Sequence, residues 1–196
     1  MKNKILYTIY KYVLAIPFLL YYRPKFVNKD YIPKEGPIII CGNHKHLYDQ
    51  CLPILSTRRM IHYMAKKEYI DNKKVAWFFK SSGCISVDRQ NKKEAHKAMN
   101  IAINLLKENK AIGIFPEGTR NKTNDLLLPF KMGAVKMAYE TNATIVPFVI
   151  TGEYKFLKNN LTITFLKPFK VKDDLEKENE KLRNMMLEHI KKSRKI

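Results

Sequence analysis

At 196 residues, with 45% hydrophobic and 11% aromatic side chains, the chain can bury one core without metal or disulfide support and is too apolar for wholesale disorder. Seven Gly and nine Pro exclude collagen-like and low-complexity architectures. Thirty-seven basic against 18 acidic residues give a formal charge of +19, which calls for an anionic partner: nucleic acid, an anionic membrane surface or an acidic soluble ligand.

Lysine dominates that charge, and only Arg23, Arg58, Arg59, Arg89, Arg120, Arg183 and Arg194 are arginines. Base readers lean on Arg forks, so the balance leans toward diffuse electrostatics. The charge runs along the whole chain rather than sitting in a tail. Cys41, Cys51 and Cys84 form an odd set without CxxC spacing, which argues for buried free thiols rather than disulfides or a zinc site.

The first predicted element is 5–22, ILYTIYKYVLAIPFLLYY. As a helix it reaches ~27 Å, just short of a hydrocarbon core of ~30 Å. No small-residue cleavage site follows, so it does not read as a secretory signal. Lys11 in its middle and Pro17 beyond argue against a span. Lys4, Thr8, Lys11 and Ala15 fall on one stripe. The pattern predicts a helix bent at Pro17, or a helix pair, lying in a membrane interface with Lys11 snorkelling to the headgroups. The alternative is a helix packed on its own domain.

Beyond it, short apolar runs alternate with amphipathic ones, the signature of an α/β domain. The predicted order is strand 37–41, helix 49–57, strand 61–65, helix 73–81, strand 84–87, helix 92–109, strand 111–115, helix 133–141, strands 144–150 and 161–166, and helix 175–192. In helix 92–109, Ala95, Met99, Ala102, Leu105 and Leu106 share a face that should meet a sheet. Three polar stretches follow strands, at 42–49, 83–89 and 115–121, where open α/β sheets place their sites.

The first stretch is Gly42-Asn43-His44-Lys45-His46-Leu47-Tyr48-Asp49. Five steps rotate ~140° on a helix, so His44 and Asp49 meet only if the chain turns at the strand end. There the Asp can hold a ring N–H of His44 and leave the other nitrogen as a general base. Taken alone, His44 could equally be a satisfied turn histidine and Asp49 a helix N-cap. A metal reading of His44, His46 and Asp49 is the weaker alternative. The second stretch, Gly83-Cys84-Ile85-Ser86-Val87-Asp88-Arg89, and the third, Phe115-Pro116-Glu117-Gly118-Thr119-Arg120-Asn121, each pair an acidic residue with an Arg suited to phosphate, though either one alone reads as a surface Asp–Arg or Glu–Arg turn.

Taken in order, NHxxxxD at Asn43–Asp49, Ala65-Lys66-Lys67-Glu68, GxIxVDR at Gly83–Arg89, FPEGTRN at Phe115–Asn121, Phe130-Lys131-Met132-Gly133-Ala134 and Ile145-Val146-Pro147-Phe148-Val149 resemble the PlsC-like glycerophospholipid acyltransferase family. The likeness covers roughly 38–152. It departs at His46, where the family usually carries a small hydroxyl residue.

The resemblance implies a single α/β domain, 25–196, with a central mixed, largely parallel sheet flanked by helices, preceded by a membrane-associating segment, 1–24. It also implies acyl transfer from acyl-CoA or acyl-carrier protein to lysophosphatidic acid or a related lysolipid, with no metal or organic cofactor. His44 would be the base and Asp49 its orienter. Asn43, Arg89, Glu117, Gly118, Thr119, Arg120 and Lys131 would serve the substrate, with Arg120 on its phosphate. The expected place is the cytoplasmic face of the cell membrane, peripheral or monotopic, against an anionic surface. No nucleic-acid partner is expected on this reading; the alternatives are the same chemistry on glycerol 3-phosphate, another lysophospholipid or an amino-lipid, or a non-catalytic basic membrane- or nucleic-acid-binding protein with no need for His44.

Overall fold

Ile38-Ile39-Ile40 and the run from Ile145 to Ile150 carry no polar side chain, so neither can alternate between core and water. Both become strands covered on both faces. The structure, a computed structural model, describes residues 2–88 and 90–194. Its strands are β1 (Lys25–Val27), β2 (Ile38–Gly42), β3 (Ile61–Lys66), β4 (Ile85–Val87), β5 (Ala111–Ile114), β6 (Thr144–Thr151), β7 (Thr162–Phe165) and β8 (Phe169–Lys170). Its α-helices are α1 (Lys2–Tyr22), α2 (Cys51–Ser56), α3 (Lys67–Asp71), α4 (Ala76–Ser81), α5 (Lys92–Lys107), α6 (Gly133–Thr141) and α7 (Leu175–Arg194).

The strands form one sheet in the order β1-β7-β6-β2-β5-β3-β4, with β8 also paired to β6. β2 lies parallel to β5 and β6, Ile38 facing Ala111 on one side and Thr144 on the other. β3 continues the parallel set on β5 and carries β4. β7 and β8 run antiparallel to β6, and β1 lies parallel to β7. The architecture is therefore the expected one: a mixed, mostly parallel sheet flanked by helices.

Period-two alternation sorts the strand residues into two cores. Ile39, Cys41, Ile112, Ile145 and Val149 pack on one face with α5, α6 and α7. Ile38, Ile40, Ala111, Val146 and Phe148 pack on the other with Leu52 of α2. In α5, Ala98, Ala102, Ile103 and Leu106 are buried, with Ala95, Met99 and Leu105 half-buried beside them. The helix starts on Asn91, whose side chain accepts the Lys93 and Glu94 N–H groups. The apolar row of α7, Leu182, Met186 and Ile190, lies in the core, so this helix turns its hydrophobic face inward.

Four short elements were not expected: β1, β8, α3 and a 3-10 turn at Lys29–Tyr31. Strands of two or three residues are too brief to show periodicity, and α3 follows β3 with no turn residue between them. The helix expected over 73–81 begins only at Ala76.

The helix α1 is continuous through Pro17. Tyr7 and Ala15 are buried against the domain, and the Lys11 ammonium donates to the Thr57 carbonyl, which satisfies an orphan acceptor after the end of α2. Lys11 was expected to reach outward; instead its cost of burial is offset by that inward bond. The opposite side of α1 leaves Ile9, Val13, Ile16 and Leu20 half or more exposed, an apolar face turned away from the domain.

Candidate active site

Parallel pairing brings the C-terminal ends of β2, β3 and β5 to one edge of the sheet. The chain leaves β2 at Gly42, and Asn43 is buried immediately after it. Its carboxamide donates to the Ile150 carbonyl at 3.0 Å and accepts the Ile150 N–H at 2.7 Å. This side chain continues the sheet's bonding for one more residue and sets where His44 begins.

The main chain of His44 is bracketed by the loop after β5. Its N–H donates to Glu117 Oε1 at 2.8 Å, and its carbonyl accepts the Asn121 N–H at 2.7 Å. Its ring stacks on Phe115, centroids 4.0 Å apart and planes 11° from parallel. Nδ1 lies 2.9 Å from Asp49 Oδ2. An ionised carboxylate only accepts, so Nδ1 carries the proton and Nε2 is the free lone pair.

Asp49 sits in the turn ahead of α2 and is 1% exposed. It does not cap that helix. Its Oδ2 accepts the Lys45 and His46 N–H groups, both at 2.7 Å, and Oδ1 accepts the Tyr154 hydroxyl at 2.9 Å. Four donors surround the carboxylate, which makes its burial tolerable. Burial, and then the Asp49 charge, push the Tyr154 phenol well above its ordinary range. The Tyr154 ring in turn stacks on His46 at 4.2 Å.

Glu117 spends both oxygens on the backbone: Oε1 on His44 and Oε2 on the Leu128 N–H at 2.9 Å. Burial lifts this carboxyl above its ordinary value, against the pull of those two N–H groups. Lys45 is pushed down by burial and by Arg194 at the end of α7, with Glu117 and Asp49 pulling the other way. The side-chain bonds of Asn43 and Glu117 brace the site from within: Asn43 ties the end of β2 to Ile150 of β6, and Glu117 ties the His44 main chain to Leu128. In the 83–89 stretch, Asp88 likewise accepts the Gln90 and Asn91 N–H groups and shapes its own turn.

Beside His44 opens a cleft of 1210 Å³ between α1, α2, α4 and the strand ends. Tyr7, Phe18, Ile54, Tyr63 and Phe79 make its walls apolar, and Thr119 and Arg120 stand at its polar side. Arg120 is exposed, and its guanidinium has no ion-pair or hydrogen-bond partner among the described residues. Gly118 takes φ 70° beside it, and the Lys131 side chain lies over that glycine. Arg89 lies outside the described residues. Among the described residues no group of three His, Cys, Asp or Glu side chains converges as a metal site. Tyr154 is the residue sequence reasoning missed, because nothing in the local pattern around it signals a contact with a residue 105 positions earlier.

The acyltransferase family model matches residues 23–151. A 1-acyl-sn-glycerol-3-phosphate acyltransferase of Bacillus subtilis is 36% identical over 129 residues, covering 65% of this chain and 62% of that protein. One from Saccharomyces cerevisiae is 30% identical over 185 residues, covering 85% of this chain and 59% of that protein. The chain spans roughly half to three-fifths of the length of the curated relatives it matches. The crystal structure of the 1-acyl-sn-glycerophosphate acyltransferase PlsC from Thermotoga maritima shares the fold, with a TM-score of 0.81 at 20% identity over 98% of this chain and 81% of that one. The matched segment runs from just before β1 to the end of β6 and holds His44, Asp49 and the Glu117–Arg120 loop, and the chain belongs to the acyltransferase family.

Proposed function

We propose that the protein transfers a fatty acyl group from acyl-CoA or acyl-carrier protein to the free hydroxyl of 1-acylglycerol 3-phosphate, giving phosphatidic acid. The observation that carries this reading is His44, its Nδ1 held by Asp49 and its Nε2 left for the acceptor, lining the same apolar cleft as Arg120, which has no ion-pair or hydrogen-bond partner among the described residues. An apolar cleft suits acyl chains, an exposed guanidinium suits a phosphate monoester, and the base lines the same cleft.

In the reaction, His44 Nε2 takes the acceptor's hydroxyl proton as its oxygen attacks the thioester carbon. Asp49 stabilises the imidazolium that forms. The tetrahedral adduct collapses, the C–S bond breaks, and the proton on His44 goes to the departing thiolate. A thioester is reactive enough that no covalent acyl-enzyme is needed, so positioning carries much of the rate. Arg120, with Lys131 and Thr119 near it, holds the acceptor phosphate, and Arg89 is assigned to the same anion.

The membrane part of the reading rests on α1. Its outward apolar face is suited to the interfacial layer of a bilayer, with residues 1–24 as the seat and 25–196 as the catalytic domain. The positive charge would favour an anionic, cytoplasmic leaflet and an anionic acyl donor.

The test is acyl transfer by the full chain in mixed micelles, with lysophosphatidic acid, glycerol 3-phosphate and neutral lysolipids compared, and both donor types supplied. His44→Ala should lower turnover ~10²–10⁴-fold while leaving the fold intact. A folded His44→Ala protein that keeps most of its activity ends this mechanism.

A further inference from the structure

The segment between β6 and β7 is built around a contact that the reaction as described does not use. Gly152, at φ 84°, pinches the base of the segment shut: a Cβ there would lie 2.0 Å from the Asn160 carbonyl oxygen. Farther along, the Leu157 N–H donates to the Tyr21 carbonyl at 2.9 Å, and Phe156 packs on the Tyr21 ring at 4.7 Å. The loop is therefore tied at its base to the start of β7 and at its tip to the end of α1. Tyr154 hangs between those ties. Its ring is stacked on His46 and meets Tyr22 edge-on at 5.4 Å, so its position is set on two sides before its hydroxyl is considered. That hydroxyl then reaches Asp49 Oδ1 at 2.9 Å.

The donors to Asp49 are unequally shared. Oδ2 takes His44 Nδ1 and two main-chain N–H groups, and Oδ1 takes Tyr154. Without the phenol, Oδ1 would be a buried acceptor with no partner, and rotation of the carboxylate towards other donors would no longer be opposed. We propose that Tyr154 is a positioning residue for the catalytic pair: its hydroxyl pins Oδ1 so that Oδ2 stays on His44 Nδ1 and Nε2 stays aimed at the acceptor. The inference rests on His44 and Asp49 being the working pair. Burial and the Asp49 charge both hold the phenol protonated, as a donor must be. The same ring contacts link the end of α1 to the pair, so how that helix is seated bears on how the base is held.

Tyr154→Phe keeps the ring and removes one oxygen, which makes it the informative change. In full-length protein with ¹⁵N-labelled histidine in detergent micelles, the hydrogen-bonded Nδ1 proton of His44 gives a downfield resonance, assigned by its loss in His44→Ala. Tyr154→Phe should broaden that resonance away or move it, with a melting temperature within a few degrees of the parent. In acyl transfer it should lower kcat about tenfold and leave the KM of acceptor and donor within about twofold. In an Asp49→Asn background the same change should cost less than about threefold more, since the carboxylate it serves is gone. 3-Fluorotyrosine placed at 154 keeps ring and hydroxyl, strengthens the donor, and should retain the resonance at a shifted position. This arm decides the matter even where Tyr154→Phe does not fold. An unmoved His44 resonance in these variants overturns the proposal, as does a full additive loss in the Asp49→Asn background or a loss confined to KM. An active His44→Ala protein would overturn the base assignment instead, and the resonance would still report on Tyr154.

Discussion

The Lys131 side chain crosses directly over Gly118, near enough that a Cβ there would sit 2.8 Å from Lys131 Cε and 3.1 Å from its Nζ. Gly118 also holds φ 70°, a region side chains rarely enter. The loop thus needs glycine twice, for its turn and for the lysine that covers it. Gly118→Ala should strain the turn and displace the Lys131 side chain that covers it. The expected result is a loss of stability of ~1 kcal/mol and an acceptor KM raised about tenfold, with donor KM little changed. Titrating acceptor and donor separately checks this, and an unchanged acceptor KM would count against a role for Lys131 at the phosphate.

Arg120 is the cleanest probe of the acceptor's charge because no partner within the described residues is lost with it. Arg120→Ala should cost ~2–4 kcal/mol in acceptor kcat/KM and much less for the donor. Arg120→Lys should recover only part, because a point charge cannot reproduce a planar fork. Equal losses for both substrates would place Arg120 elsewhere in the reaction.

The frame was readable because its signals are local. The uninterrupted apolar runs of β2 and β6 are short and β-branched, which favours buried strands, and the 3.6-residue repeat of α5 marks a helix with one buried face. The approach of His44 to Asp49 was readable as a possibility of the turn between them. The rest depended on contacts that span the chain. Lys11 reads as an interfacial lysine until Thr57 presents it with an unpaired carbonyl. Glu117 reads as a residue of the Arg120 loop, and only the folded chain reveals that its carboxylate accepts the N–H groups of His44 and Leu128. Tyr154 has no signature at all, since its meaning comes from an Asp on the far side of the fold.

Glu117 offers a pH test. Its folded value lies above the ordinary 4.5 because burial outweighs its two N–H bonds, so the folded state binds the proton more tightly than the unfolded one. Its contribution to stability is therefore full below 4.5 and is lost as pH rises through the raised value. Glu117→Gln cannot titrate, and its NH₂ must face an N–H donor, at a cost of ~1–3 kcal/mol. The stability difference between parent and Glu117→Gln should then widen in the parent's favour as pH falls towards 4.5 and level off below it. Denaturant melts of both proteins across that range measure it, and a gap that narrows on acidification would reverse the assignment.

The outward face of α1 is best tested by point charges rather than by removing the helix. A chain starting near Arg23 would also strip Phe18 and Tyr22 from Tyr154 and Lys11 from Thr57, so loss of membrane binding and damage to the site would be confounded. Val13 and Ile16 are 62% and 63% exposed and do not line the cleft, whereas Tyr7, Lys11, Ala15 and Phe18 do. Each large aliphatic side chain moved out of water is worth ~1.5–3 kcal/mol, so Val13→Glu with Ile16→Glu should cut vesicle affinity by well over tenfold. At 1 M salt, where charges are screened beyond ~3 Å, the parent should still sediment with anionic vesicles and the double variant should not. At low salt the variant should retain weak attachment through its +19 charge, reduced by the two new carboxylates. Turnover of a short-chain, water-soluble acceptor should stay within about threefold of the parent, because the cleft walls are untouched. Equal sedimentation of both proteins at 1 M salt would mean that this face does not meet the membrane.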